Sequence, residues 1–86
     1  MNLGMIFNME YGVVLGGTEF QLGLAEAITK RGLQPLILDR NENCFLSKKY
    51  KKNFIKADIS NPNECHALIK NFNVKGCFTA QSDVGV

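Results

Sequence analysis

The residues best suited to chemistry form a glycine turn near the amino terminus. The sequence VVLGGTEFQ, residues 13–21, joins a short apolar run to two glycines and then to a helix-like segment. Gly16 and Gly17 lack a Cβ, so a ligand can approach their main chain closely. Thr18 and Gln21 have the spacing of a capping box. The pattern predicts a strand, a turn and a helix start, where free N–H groups favour phosphate or carboxylate. An ordinary tight turn between a strand and a helix would have the same pattern.

A second polar loop follows the last predicted strand. It contains Gln81, Ser82 and Asp83, and we expect it to lie beside Gly16, Gly17, Thr18 and Glu19 in one substrate-binding crevice. A nucleophile such as Ser82 would need a base within hydrogen-bond reach. The single histidine, His66, is predicted on the exposed side of a helix. We therefore predict no catalytic residue in this chain.

A nicotinamide dinucleotide site is the first alternative. Asp39 lies 22 residues after Gly17, at the end of a predicted strand, where an acid can bind a ribose diol. The dinucleotide fingerprint also needs glycines at positions 18 and 21, and the chain has Thr18 and Gln21 there. The missing glycines argue against this alternative.

The elements that position these residues alternate between strands and helices. Strands are predicted at residues 13–15, 34–39, 54–57 and 76–80, and one helical turn is predicted around 45–50. The first helix should bury Phe20, Leu24, Ala27 and Ile28, and the second should bury Cys65, Leu68, Ile69 and Phe72. Right-handed crossovers then give an α/β, Rossmann-like three-layer domain. Its mostly parallel sheet of four to five strands has the order 3-2-1-4, and ligands favour the reversal between strands one and four.

Composition limits the other functions. The 86 residues, 45% of them hydrophobic, make one domain over 1–86, in which residues 1–8 are a possible extension. A net charge of +2 is too small to indicate nucleic acid, and no apolar run is long enough to predict a membrane span. Three cysteines without a Cys-x-x-Cys pair predict reduced thiols, a cytoplasmic location and no metal site. The four lysines within 48–52 predict a solvated loop or, alternatively, a phosphate contact.

Taken in order, the motifs of residues 11–86 resemble the amino-terminal, or pre-ATP-grasp, domain of ATP-grasp ligases, and most closely that of carbamoyl-phosphate-synthase-like enzymes. The segments that carry the resemblance are VVLGGTEFQ (13–21), LILDR (36–40), the Tyr50 loop leading to Phe54, ADISN (57–61) and VKGCFTAQSD (74–83). The first loop is also similar to that of formate-dependent glycinamide ribonucleotide formyltransferase.

The resemblance implies a role in carboxylate activation. Such ligases use ATP and magnesium to form an acyl phosphate, and both cofactors bind to downstream ATP-grasp domains. The resemblance gives Gly16–Glu19, and more weakly Gln81–Asp83, a role in one wall of the site for a small carboxylate or phosphate-bearing substrate. Without those domains the chain should be inactive and hold no cofactor, and it would act with them or with a partner chain.

Two other functions remain open at this point. The chain could be a stand-alone small-ligand or dinucleotide-binding module, or a structural domain that docks onto a partner chain. An edge strand with incomplete cover is also expected to favour a homodimer.

Overall fold

A computed structural model describes residues 9–78, and their fold is α/β with one parallel sheet. The sheet has four strands in the spatial order β3-β2-β1-β4, which confirms the predicted 3-2-1-4 order. The strands are β1 (Tyr11–Leu15), β2 (Gln34–Asp39), β3 (Phe54–Lys56) and β4 (Val74–Phe78). The helices are α1 (Leu22–Lys30), α2 (Phe45–Lys49) and α3 (Pro62–Ile69), with 3-10 turns at Glu19–Gln21 and Lys51–Asn53. The possible extension at 1–8, a fifth strand in it and the end of the predicted fourth strand lie outside the described residues.

The strand register brings the loops that follow the strands to one edge. Leu15 at the end of β1 is opposite Leu38 of β2, and Asp39 is opposite Lys56 of β3. On the other side of β1, Val14 is opposite Phe78. Because every pairing is parallel, the carboxyl ends of all four strands meet at this edge, which is where open α/β sheets bind ligands.

Two apolar clusters cover the two faces of the sheet. One contains Val14 and Ile37, with Ala25 and Ile28 of α1 and Leu46 of α2. The other contains Val13, Leu36 and Leu38, with Ala57 and with Cys65 of α3. The central strands β1 and β2 are therefore covered on both sides, as their uninterrupted apolar runs predict.

Helix α1 buries a different set of residues from the predicted stripe. Ile28 is buried as predicted, but Ala25 is the other fully covered residue of this helix. Phe20 is 82% exposed, and Ala27 is also exposed. Phe20 lies in the 3-10 turn before α1, where the rotation per residue differs from that of an α-helix. The prediction applied the period of an α-helix to this turn as well. Its expectation that Phe20 and Ala27 are buried is therefore wrong.

Helix α3 begins as its sequence predicts. Asn61 is the N-cap and accepts a hydrogen bond from the Glu64 N–H at 3.1 Å, and Pro62 follows at the first position. Cys65 is buried and Ile69 packs on the same cluster, whereas Leu68 is 38% exposed. The predicted stripe is thus correct at Cys65, Ile69 and Phe72 and wrong at Leu68.

The helices of residues 9–78 have at most nine residues, and none of them is long and apolar enough to cross a bilayer.

Strand β4 is an edge of the described sheet, and we expect it to associate with a second copy of the chain. It pairs with β1 on one side, so the other side of its main chain can add a strand. Sedimentation equilibrium at tens of micromolar should show a dimer or a larger species. Replacing Lys75, the residue of β4 that the register with β1 skips, by Pro should shift the chain toward monomer if β4 forms the contact. A 9.6 kDa monomer throughout that concentration range would contradict the expectation.

Candidate functional site

The predicted glycine turn lies at the carboxyl edge of the sheet, directly after β1. Gly16 has φ +96°, a conformation that glycine adopts without the strain of a Cβ. Its N–H donates to the Leu38 carbonyl at 2.7 Å, which extends the pairing of β1 with β2. The turn therefore needs a glycine at position 16 for its main-chain conformation, whatever ligand it binds.

Gly17 holds three neighbouring segments together. Its N–H donates to Asp39 Oδ2 at 2.7 Å, and its carbonyl accepts from the Leu46 N–H at 2.9 Å. A Cβ added at this position would lie 2.5 Å from Cys44 Sγ and 3.2 Å from Ile37 Cγ2. The space left by the missing side chain is thus filled by Cys44. This packing gives a second physical reason for a glycine here, beside the approach of a ligand.

Thr18 and Gln21 contact one another, but they do not form the predicted capping box. The Thr18 hydroxyl donates to Gln21 Oε1, and Gln21 Nε2 is 3.5 Å from the Leu15 carbonyl. Neither side chain caps a main-chain N–H, and α1 begins only at Leu22. Gln21 is buried by the turn, and only 7% of its surface is exposed. The two side chains therefore stabilise the turn by their contacts with one another and with Leu15.

The remaining hydrogen-bond donors of the turn are at its outer end. Among residues 9–78, the N–H groups of Thr18 and Glu19 have no acceptor, as is usual at the start of a helix. Both residues are exposed, so a ligand can reach these donors. The Glu19 side chain adds a carboxylate beside them. The corner can therefore donate two hydrogen bonds to a small anion and accept one from a donor group of the same ligand.

Asp39, the candidate ribose-binding residue, already holds two main-chain groups. Besides Gly17, it accepts from the Asn41 N–H at 2.9 Å through Oδ1. Each carboxylate oxygen therefore has a partner within the protein, and a ribose would have to share these oxygens. The geometry adds to the argument from the missing glycines against a dinucleotide.

A second polar group, which the sequence reading did not select, lies along the same edge after β3. Asp58 accepts at Oδ1 from the Ser60 N–H and hydroxyl, at 3.0 and 2.6 Å, and Arg40 Nη2 is 3.4 Å from its Oδ2. The two Ser60 bonds are the main cause of a lowered Asp58 pKa, and Arg40 adds to it. These side chains and Asp39 line an open depression of about 280 Å³. Polar residues that directly follow a parallel strand are expected at the ligand edge of the sheet. This expectation would have identified Asp58 and Ser60 from the sequence.

The structure describes some of the predicted site residues and not others. Gly16–Glu19 lie together at the carboxyl edge, while Gln81, Ser82 and Asp83 lie outside the described residues. His66 is exposed on α3, as predicted, and borders an apolar cavity. Within residues 9–78, no three side chains of the types that bind metals come together. Lys48–Lys52 line another depression of about 340 Å³, whose lining includes no residue of the glycine turn.

Replacing Gly17 by Ala should destabilise the domain, because the new methyl group overlaps Cys44 Sγ. We expect a loss of about 1–3 kcal/mol in the free energy of unfolding, measured by urea denaturation. Removal of the Cys44 sulfur should relieve the overlap. Gly17→Ala should therefore lower the free energy of unfolding less in a Cys44→Ala background than in the unchanged chain. Gly23→Ala is the matched control, because a Cβ at Gly23 has no atom within 4 Å. The packing role of Gly17 is contradicted if the two glycine variants have equal stability.

The candidate site thus consists of the turn at Gly16–Glu19, at the carboxyl end of β1. A comparison of the sequence with protein-family models, curated proteins and solved structures found no match. The inference of function therefore depends on the sheet order, the geometry of this turn and the motifs of the sequence.

Proposed function

We propose that this chain is the amino-terminal, substrate-side domain of a carbamoyl-phosphate-synthase-like ATP-grasp carboxylate ligase, and that it has no activity by itself. The main support is the position of the glycine turn. In the 3-2-1-4 sheet, the loop after β1 lies at the reversal between β1 and β4, where α/β sheets favour ligands. The same loop carries the strongest part of the sequence resemblance.

The chemistry available at this turn suits substrate binding. The N–H groups of Thr18 and Glu19, which have no acceptor within the described residues, can hold a carboxylate or phosphate oxygen. Glu19 can accept a hydrogen bond from the same ligand, which would fix its orientation. ATP and magnesium would bind to the downstream ATP-grasp domains and supply the activation of the carboxylate. This chain contributes one wall of the substrate site, and the main chain of the glycine turn gives that wall its shape.

The main alternative is a stand-alone small-ligand or dinucleotide-binding module. It needs the same sheet and the same turn, so the fold alone does not separate the two functions. The side chains favour the ligase domain, because Asp39 already holds two N–H groups and positions 18 and 21 lack the fingerprint glycines. We also propose a cytoplasmic location, on the basis of the three free cysteines.

Phosphate or acetate should bind weakly at the start of the 3-10 turn. We expect amide chemical shifts to change most at Thr18 and Glu19, which are exposed and whose N–H groups have no acceptor within residues 9–78, and also at 81–83 if the predicted crevice forms. Shift changes centred on Lys48–Lys52 would place the anion site in the lysine loop instead.

Titration with NAD or NADP should give no saturable heat. A dissociation constant below about 100 μM for NAD, near −5.5 kcal/mol of binding, would favour the dinucleotide module.

The gene sequence beyond the Val86 codon tests the proposal most directly. A reading frame that continues into ATP-grasp domains would support the ligase function. A stop codon, with no ATP-grasp reading frame in the adjoining genes, would contradict it and favour the stand-alone module. This outcome is independent of whether a given anion binds strongly enough to be detected.

A further inference from the structure

A pair of thiols lies on the face of the sheet that α3 covers. Cys77 of β4 is opposite Val13 of β1 in the strand register. Paired residues of neighbouring parallel strands point to the same face, so the Cys77 side chain lies beside Val13. Cys65 of α3 packs in the apolar cluster that contains Val13. A helix and a strand thus place one cysteine each on the same face of the sheet.

The cavity on this face connects the two thiols. Its volume is about 270 Å³, and both Cys65 and Cys77 line it, together with Val13 and Ile69. Both cysteines therefore border one shared space on this face of the sheet. Cys44 is on the opposite face, against Gly17, and has no part in this arrangement.

The two thiols differ in accessibility. Cys77 is exposed, whereas Cys65 is buried and donates to the Asp58 carbonyl at 3.5 Å. Burial is the largest cause of a raised Cys65 pKa, followed by the nearby Glu64 and Asp58 carboxylates and by Cys77 itself. Cys65 is therefore protonated at neutral pH, and an oxidant in solution reaches Cys77 first.

We propose that Cys65 and Cys77 are a reversible disulfide site that responds to a small disulfide oxidant such as glutathione disulfide. The Cys77 thiolate attacks one glutathione sulfur, which gives a mixed disulfide and releases one glutathione thiolate. Cys65 loses its proton to solvent and attacks the Cys77 sulfur, which releases the second glutathione. In total, two protein thiols become one disulfide and glutathione disulfide becomes two molecules of glutathione. The bond ties α3 to the edge strand β4.

Mass spectrometry after incubation with glutathione disulfide tests the proposal. The three cysteines fall in different tryptic peptides, residues 41–48, 57–70 and 76–86, so each pairing has its own mass. We expect the intact chain to lose two hydrogen atoms, a cross-link between peptides 57–70 and 76–86, and full reversal by dithiothreitol. A stable glutathione adduct at Cys77 without this cross-link, or a cross-link that includes Cys44, would overturn the proposal.

Two variants make the test specific. Cys65→Ala should stop the reaction at the mixed disulfide, so the chain should keep one glutathione group on Cys77. Cys44→Ala is the matched control and should form the disulfide as the unchanged chain does. Far-UV circular dichroism checks that each variant is folded. If Cys65→Ala does not fold, the peptide map of the unchanged chain still decides between the two results.

Discussion

The fold at the carboxyl edge depends on one residue without a side chain. Gly17 joins β1 to the end of β2 through Asp39, and it joins both to α2 through the Leu46 N–H and the close approach of Cys44. Gly17 makes three contacts at once. Its N–H donates a hydrogen bond, its carbonyl accepts one, and Cys44 occupies the space that a Cβ would fill. Any larger residue would separate α2 from the turn, and would disturb the position of the N–H groups that follow. The requirement for glycine here is therefore a requirement of packing as well as of ligand access.

The order of the sheet follows from which face each helix covers. Helices α1 and α2 lie on one face, where they cover the step from β1 to β2 and then to β3. Helix α3 lies on the other face and leads back to β4 on the far side of β1. Because the chain moves in opposite directions along the sheet over opposite faces, the crossovers have the same hand, as the right-handed rule requires. The reversal next to the glycine turn is a consequence of this change of face.

Much of this could be predicted from the sequence, because its strongest signals are local. The central strands β1 and β2 contain continuous apolar runs, and Asn61 and Pro62 begin α3 as capping preferences require. The burial of Phe20 was wrong because a 3-10 turn precedes α1, and periodicity does not show where one kind of helix replaces another.

The contacts of the site were less predictable. The Thr18–Gln21 spacing fits a capping box, but the two side chains bond to each other instead. The contact of Gly17 with Cys44 joins residues 27 positions apart, and no local pattern encodes such a contact. The Asp39 bond to Gly17 is similar: the sequence gives the spacing, but it does not show whether the carboxylate faces a ligand or a main-chain N–H.

The distribution of charge along the edge narrows where a ligand can bind. After β2 and β3, the carboxylates of Asp39 and Asp58 each accept hydrogen bonds from the loop that follows them. These carboxylates stabilise loops and repel an incoming anion, with Arg40 as a partial counter-charge on the outer side. The exposed donors of Thr18 and Glu19 lie on the β1 side of this acidic stretch. An anionic group is therefore favoured next to β1, two strands away from the β3 loop of Asp58, at the exposed N–H groups of Thr18 and Glu19. The Glu19 carboxylate beside them favours a ligand that also carries a hydrogen-bond donor.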